Sequence, residues 1–151
     1  MPDPHRSDHS DNSDPLTWTL DHPPRMGSWA EELGFVLDEM SGTRVHGHVE
    51  FGPRHHQPMS MVHGGAYAMV VESAASIGAV LAVRDRGQFA VGVNNSTDFV
   101  RSVSEGRVDV IAEPIMQGRV QQLWRVDLTR ASDGKLVAQG RVRLQNLPIP
   151  S

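Results

Sequence analysis

Polar and apolar residues alternate along several stretches of the chain, and a period of two is typical of a half-buried β-strand. The alternation predicts six strands, at residues 35–38, 43–51, 89–101, 107–114, 121–130 and 135–147. In the second of these, Val45, Val49 and Phe51 share the face that we expect to be buried. Ser132-Asp133-Gly134, between the last two strands, has the composition of a hairpin turn in which Gly134 supplies a positive φ.

One stretch, at about residues 66–84, has a different pattern. It is apolar on almost every side, and its clearly polar members are Glu72, Ser73 and Ser76. Such a pattern predicts a helix surrounded by protein. A membrane span is the competing interpretation, but the central glutamate and a mean hydropathy of -0.35 for the chain argue against it.

A shorter helix is predicted at residues 29–33, with Ser28 as its cap. The predicted order is therefore a short helix, two strands, one long buried helix and four strands. Strands that are segregated from a single long helix indicate an α+β fold with an antiparallel sheet. We expect that sheet to wrap around the helix, because the helix has no polar face to present to water.

The first 26 residues are rich in Asp, Ser, His and Pro, and such a segment buries too little apolar surface to offset its ordering entropy. We expect residues 1–26 to be mostly disordered and residues 27–151 to form one domain. Leu16, Trp18 and Leu20 alternate, which leaves open a short strand or docking on the domain. The segment lacks the basic start and apolar run of a signal peptide, so a cytoplasmic protein is expected.

Composition narrows the function classes further. The 151 residues include no cysteine, which excludes disulfides, thiolate nucleophiles and Cys-ligated metals. A net charge of -4 and an aromatic content of 5% predict no nucleic-acid partner. His46 and His48 share a strand face near His55-His56, but no carboxylate completes a metal site at a recognisable spacing, so a solvent-facing strand is favoured. No metal and no cofactor are expected.

The candidate catalytic residues are concentrated around the start of the long helix. His63-Gly64-Gly65 precede it, and glycines allow a ligand to approach the backbone closely. A helix that begins there presents free N–H groups and a positive dipole end, which stabilise a developing oxyanion. Glu72, in an apolar setting, could activate water or attack a carbonyl directly.

Helix geometry separates these two features. Residues 63 and 72 are nine apart, which is about 13 Å along the axis, and they point to opposite sides of the helix. One helix cannot bring both to the same carbonyl, whereas two antiparallel copies can. If both residues are catalytic, the sequence implies a two-fold dimer with two composite sites. Ser76, at i+4 from Glu72, lies on the same face and could hydrogen-bond the carboxylate or its water.

The motif Gln57-Pro-x-x-x-Val-His63-Gly64-Gly65, followed by Glu72-Ser-x-x-Ser76, resembles the hotdog-fold acyl-CoA thioesterases. Within that family it is similar to the branch with 4-hydroxybenzoyl-CoA, 1,4-dihydroxy-2-naphthoyl-CoA and phenylacetate-pathway thioesterases. The resemblance spans roughly residues 27–147. The polar strand centre Asn94-Asn95-Ser96 and the N-terminal tail depart from the family pattern.

The resemblance implies a role for each motif residue. Glu72 would be the nucleophile or general base, the Gly64 amide would polarise the thioester carbonyl, and Ser76 would assist the water. Gln57 and His63 would help to hold the carbonyl, the water or the leaving sulfur. The resemblance further implies that Arg101 and Arg119 meet the CoA phosphates, that the dimers pair into a tetramer, and that the Gln57/Glu72 combination favours aromatic acyl groups.

Other interpretations stay open on the sequence. Glu72 could be a buried structural acid, His63 a histidine that bonds the backbone where the helix begins, and Ser76 a small residue that allows close packing. Arg101 and Arg119 could be solvated charges. At the level of function, the alternatives are a hotdog enoyl-CoA hydratase, which normally uses Asp and His at another spacing, and an acyl-CoA-binding module without turnover.

Overall fold

The computed structural model describes residues 14–25 and 27–150. Its two helices are α1 (Gly27–Leu33) and α2 (Gly64–Val83). Its six strands are β1 (Val36–Met40), β2 (Val45–Phe51), β3 (Gln88–Phe99), β4 (Gly106–Gln117), β5 (Gln121–Arg130) and β6 (Leu136–Pro148). Every predicted element is present, and the bounds of most differ from the prediction by a few residues at either end. The helix α1 begins at Gly27, so Ser28 lies inside it and the predicted cap is wrong.

The strands form one antiparallel sheet in the order β1-β2-β4-β5-β6-β3. The connection from β2 to β3 runs through α2 and carries the chain from one side of the sheet to its far edge. Short β1 forms one edge and twelve-residue β3 the other. The α+β prediction of an antiparallel sheet wrapped around one long helix, the hotdog fold, is confirmed.

Small residues let α2 lie close to the sheet. Trp124 of β5 is fully buried, and a Cβ added at Gly78 of α2 would collide with its indole ring. The indole Nε1–H donates to Gln122, which is also fully buried and donates to the Ala79 carbonyl of α2. Apolar contact and a satisfied polar network therefore fix α2 against the middle of the sheet.

The strand faces agree with the alternation in the sequence. Val45, Val49 and Phe51 of β2 are buried, as are Trp124, Val126 and Leu128 of β5. Together with the turn that follows it, α2 spans Gly64–Arg86, which is the one helix in the described ranges long and apolar enough to cross a membrane. Most of it is buried inside the domain, as a core helix is.

Residues 14–25, which we name the N-terminal strap, lie against the domain. A 3-10 turn at Pro15–Thr17 is capped by the Asp14 side chain, and Trp18 packs against the hydrophobic core. The strap contains no strand, so of the two arrangements left open for Trp18, docking is the one present. Residues 1–13, to which most of the predicted disorder applies, lie outside the described residues.

Candidate active site

His63 caps α2. Its backbone is extended, and its Nδ1 accepts a hydrogen bond of 2.8 Å from the Gly65 N–H. A nitrogen that accepts a hydrogen bond carries no proton, so the proton of the neutral ring is on Nε2. The ring is exposed and lines a hollow beside α1. His63 therefore bonds the backbone where the helix begins and keeps one free donor.

Gly64 lies directly against an aromatic ring, which leaves no space for a side chain. A Cβ at this position would collide with the ring of Phe99, at the end of β3. Neither Gly64 nor Gly65 has a positive φ, so close approach, and not a tight turn, is what these glycines provide. Within the described part of the chain no acceptor takes the Gly64 N–H, while the next two amides are bonded to His63. The helix thus presents one unsatisfied donor at its positive end.

Gln57 lies beside this amide in a tight loop. Its backbone N–H donates to the Met61 carbonyl and its side-chain oxygen accepts from the Met59 N–H. With the oxygen occupied, the NH2 group is the part of the side chain left to donate outward. Gln57, Gly64, Tyr67 and Arg101 line one hollow of about 280 Å³.

Tyr67 closes the inner side of that hollow. Its ring packs edge-on against Phe51, and the residue is only 2% exposed. Burial raises the pKa of the phenol above its usual value, because the charged form would lose its hydration. Tyr67 is therefore neutral near pH 7, and its buried hydroxyl has no hydrogen-bond partner among the described residues.

Glu72 is seated on β3. Asn95 donates from Nδ2 to Glu72 Oε2 at 3.0 Å and to the Ala68 carbonyl at 2.9 Å. Thr97 donates to Asn95 Oδ1 at 2.6 Å, so the orientation of the Asn95 amide is fixed. Among the described residues no donor reaches Glu72 Oε1, which is left free to accept a proton or to attack. A carboxylate with one oxygen held and the other free is suited to either role.

A bulge in β3 makes room for this carboxylate. The register with β6 shifts between Gly92 and Asn94, so Val93 is the extra residue. A Cβ at Gly92 would collide with Glu72 Oε1. A bulge re-aims neighbouring side chains, and here it places the glycine and Asn95 on either side of the carboxyl group. Asn95, in the polar strand centre noted in the sequence, is thus the residue that holds the Glu72 carboxylate.

Glu72 and Ser76 line a cavity of about 520 Å³ that is mostly apolar. The remaining walls come from α2, the start of β3, the end of the chain and the strap. Ser76 is half-buried, and no hydrogen bond joins it to Glu72. A volume of this size holds a small organic group.

In one copy, the structure brings the predicted residues together in two sets. Gln57, Gly64 and Arg101 share the hollow at the start of α2, whereas Glu72 and Ser76 share the cavity along its middle. His63 faces a third hollow. The separation follows from the helix geometry that the sequence already implied.

The two arginines lie at opposite ends of α2. Arg101 donates to the Leu136 carbonyl beside the Gly64 hollow. Arg119 is exposed in the turn between β4 and β5. That turn lies near the end of α2, because Gln117 beside it donates to the Gly42 carbonyl, and Gly42 packs against Ala82. The two guanidinium groups cannot bind one nucleotide within a single copy.

Three further histidines of the described residues have structural contacts. His55 is buried, accepting from the Gly52 N–H and donating to the Leu33 carbonyl, and His56 donates to the Ser104 carbonyl. His48 bonds Asp38 on the outer face of the sheet at 2.7 Å. Within residues 14–25 and 27–150, no group of three or more His, Asp or Glu side chains could hold a metal ion.

The family model and the related sequences that match this chain agree on one family. Residues 59–137 match the model of the thioesterase superfamily. The Mycobacterium tuberculosis protein Rv1847 is 44% identical over 118 residues, covering 77% of this chain and 84% of that one. The 1,4-dihydroxy-2-naphthoyl-CoA thioesterase 2 of Arabidopsis thaliana is 38% identical over 127 residues, covering 78% of this chain and 79% of the other.

Solved structures agree in fold. The structure of Rv1847 superimposes with a TM-score of 0.78 at 41% identity, over 82% of this chain and 98% of that one. Thioesterase HI1161 from Haemophilus influenzae superimposes with a TM-score of 0.81 at 25% identity, over 89% of this chain and 94% of that one.

Proposed function

Because the chain belongs to the thioesterase superfamily and is a thioester hydrolase, we propose that it cleaves an acyl-CoA to the free acid and CoA, with Glu72 as nucleophile or general base. The observation that carries this proposal is the environment of the Glu72 carboxylate. One carboxylate oxygen is held by Asn95, and the free oxygen lies at an apolar cavity of about 520 Å³. A structural acid would instead have an Arg or Lys partner, and no ion pair of Glu72 occurs in the described residues.

The hydrolysis can be written in either of two ways. As a general base, Glu72 takes a proton from a water molecule while its oxygen attacks the carbonyl carbon. As a nucleophile, Glu72 attacks that carbon itself and forms an anhydride that water then cleaves. In both cases the carbonyl oxygen becomes an oxyanion, the C–S bond breaks, and the CoA sulfur leaves as a thiolate that takes up a proton. For Ser76, which lines the same cavity, we propose that it orients the water.

The oxyanion site that we propose is the hollow at the start of α2. Gly64, whose N–H is unsatisfied, and Gln57, whose NH2 group is left to donate, both line it, and donors of this kind stabilise the charge that develops on the carbonyl oxygen. For His63 we propose capping of the helix, with Nε2–H left to donate to the leaving sulfur.

Glu72 and this hollow belong to different faces of the helix, so we propose that two copies of the chain complete each site. β3 is a twelve-residue edge strand with Val93 and Phe99 exposed, and unpaired edges of this length favour pairing with another strand. Pairing of two β3 strands in antiparallel fashion would set the start of one α2 against the middle of the other.

Arg119 of one copy would then approach Arg101 of the other, where both could meet CoA phosphates. A dimer of such dimers is the assembly that the family resemblance implies.

We propose aromatic acyl groups as the preferred substrates. The cavity at Glu72 is flanked by the rings of Trp18 and Phe89, which can contact an aryl group edge-on or face-on. The Arabidopsis relative, by its name, acts on an aromatic acyl-CoA. Expected kcat/KM values are therefore higher for benzoyl-CoA than for hexanoyl-CoA.

Replacement of Glu72 by Gln tests the chemistry. The amide keeps the size of the side chain and removes its basicity, so kcat for benzoyl-CoA is expected to fall about 10³-fold, within the range for loss of a general base. The measurement is release of free CoA thiol under saturating substrate.

The matched control is Glu50→Gln, which makes the same change on the exposed face of β2 and is expected to keep the parent rate. Equal slow release by the parent and Glu72→Gln would exclude the catalytic role. Tight binding of benzoyl-CoA without turnover by the parent would instead indicate an acyl-CoA-binding module.

A further inference from the structure

The cavity at Glu72 is closed on one side by a segment that precedes the family domain. Pro15, Trp18, Pro24 and Arg25 of the strap line it, whereas the match to the thioesterase superfamily begins at residue 59. The wall formed by α2 includes Glu72, Ser76 and Val80, which are four residues apart on one face of the helix. These positions extend about 12 Å along the helix axis.

The strap is held in place by defined contacts. Arg84, at the end of α2, donates from Nη1 to the Pro15 carbonyl at 3.1 Å and to the Trp18 carbonyl at 3.0 Å. Charged donors form the stronger hydrogen bonds of proteins. Asp14 caps the 3-10 turn, Trp18 packs on the core and Pro24 is buried. Hydrogen bonds and core packing therefore fix the strap at residues 14–18, and Pro24 is buried near its other end.

We propose that the strap sets the length of the acyl group, with Trp18 as the residue that determines this specificity and Arg84 as the clamp that positions it. The proposal rests on the proposed function, because it takes the cavity at Glu72 as the acyl site. An acyl group whose carbonyl carbon lies at Glu72 extends along α2 toward Val80 and meets the strap. Pockets discriminate against larger groups by steric exclusion, so removal of the wall should admit them.

The test compares benzoyl-CoA with the rigid p-terphenyl-4-carbonyl-CoA, whose three linked rings are longer than the wall of about 12 Å and cannot fold up to fit it. Trp18→Ala is expected to raise the ratio of kcat/KM for the terphenyl substrate to that for benzoyl-CoA by about tenfold or more. Arg84→Met, which keeps the apolar stem and removes the donors, should change the ratio in the same direction. Thermal unfolding followed by circular dichroism checks that each variant is folded.

Leu16→Ala is the matched control. Leu16 lies in the same 3-10 turn, is 56% exposed and does not line the cavity, so the ratio should stay at the parent value. An unchanged ratio in Trp18→Ala, or an equal rise in the Leu16 variant, would overturn the proposal while leaving thioester hydrolysis intact.

A second measurement separates this proposal from the proposed function. Dissociation constants of non-hydrolysable thioether analogues of the two substrates, obtained by calorimetry, should show the same change in ratio. If the parent hydrolyses neither thioester, the proposed function fails, and the binding ratio alone then decides whether the strap limits acyl length.

Discussion

At the scale of single residues, the two nitrogens of His63 have separate environments. Nδ1 accepts from the Gly65 N–H and stabilises the start of α2, while Nε2 carries a proton toward solvent. The sequence left both a capping and a catalytic role open. The capping bond is present in the structure, and a catalytic role now depends on Nε2 alone.

Two substitutions at His63 distinguish these roles. Asparagine is a good N-cap, so His63→Asn should retain stability within a few tenths of a kcal/mol, whereas His63→Ala should lose about 1 kcal/mol in urea unfolding. Both remove the Nε2 donor and should lower kcat/KM for benzoyl-CoA by about a hundredfold, as loss of one oxyanion or leaving-group donor does. Full activity in the asparagine variant would show that His63 only caps the helix and has no catalytic role.

At the scale of elements, the position of α2 on the sheet is set by very close contact. Gly78 leaves no space for a methyl group beside the Trp124 ring, and the buried Gln122 ties β5 to the helix backbone. The same helix carries Glu72, and β3 supplies both the Asn95 donor and the gap at Gly92. A shift of α2 relative to the sheet would thus alter both stability and the seat of the carboxylate.

Gly78→Ala measures this constraint. Overpacking against Trp124 is expected to lower the free energy of unfolding by about 1–3 kcal/mol, measured by urea denaturation. In the double variant Gly78→Ala/Trp124→Phe the smaller ring should accommodate the methyl group, so the two changes should be non-additive. Gly52→Ala is the control, because a Cβ there meets no atom within 4 Å. Additive effects in the double variant would show that the ring is not the obstacle.

At the scale of the whole molecule, one copy holds two groups of candidate residues that do not meet, and we propose that they are the two halves of a site. The half with Gly64 and Gln57 is at the start of α2, and the half with Glu72 is on the face toward the β3 edge. Assembly through that edge is what would convert the two halves into a working pair of sites. Activity should therefore depend on association as well as on the individual residues.

Mixing two inactive variants tests shared sites. Glu72→Gln supplies an intact oxyanion hollow and Gln57→Ala an intact carboxylate, so a mixed dimer has one complete site. After joint refolding, half of the dimers are mixed by chance, and roughly a quarter of the parent activity should return. Size-exclusion chromatography establishes the assembly state. Activity that stays at the level of the separate variants, or a monomer with full activity, would contradict the composite site.

The sequence by itself determined the order of helices and strands, the buried faces and the separation of Glu72 from His63-Gly64. These properties depend on local periodicity and on the fixed rise of a helix, which residue spacing encodes directly. Only the tertiary structure decided that Asn95 and Gly92 form the seat of Glu72 and that Trp18 closes its cavity. Those contacts join Glu72 to residues that are far from it along the chain, Asn95 and Gly92 after it and Trp18 before it. Their positions follow from a bulge in β3 and from packing between distant segments, which no local pattern specifies.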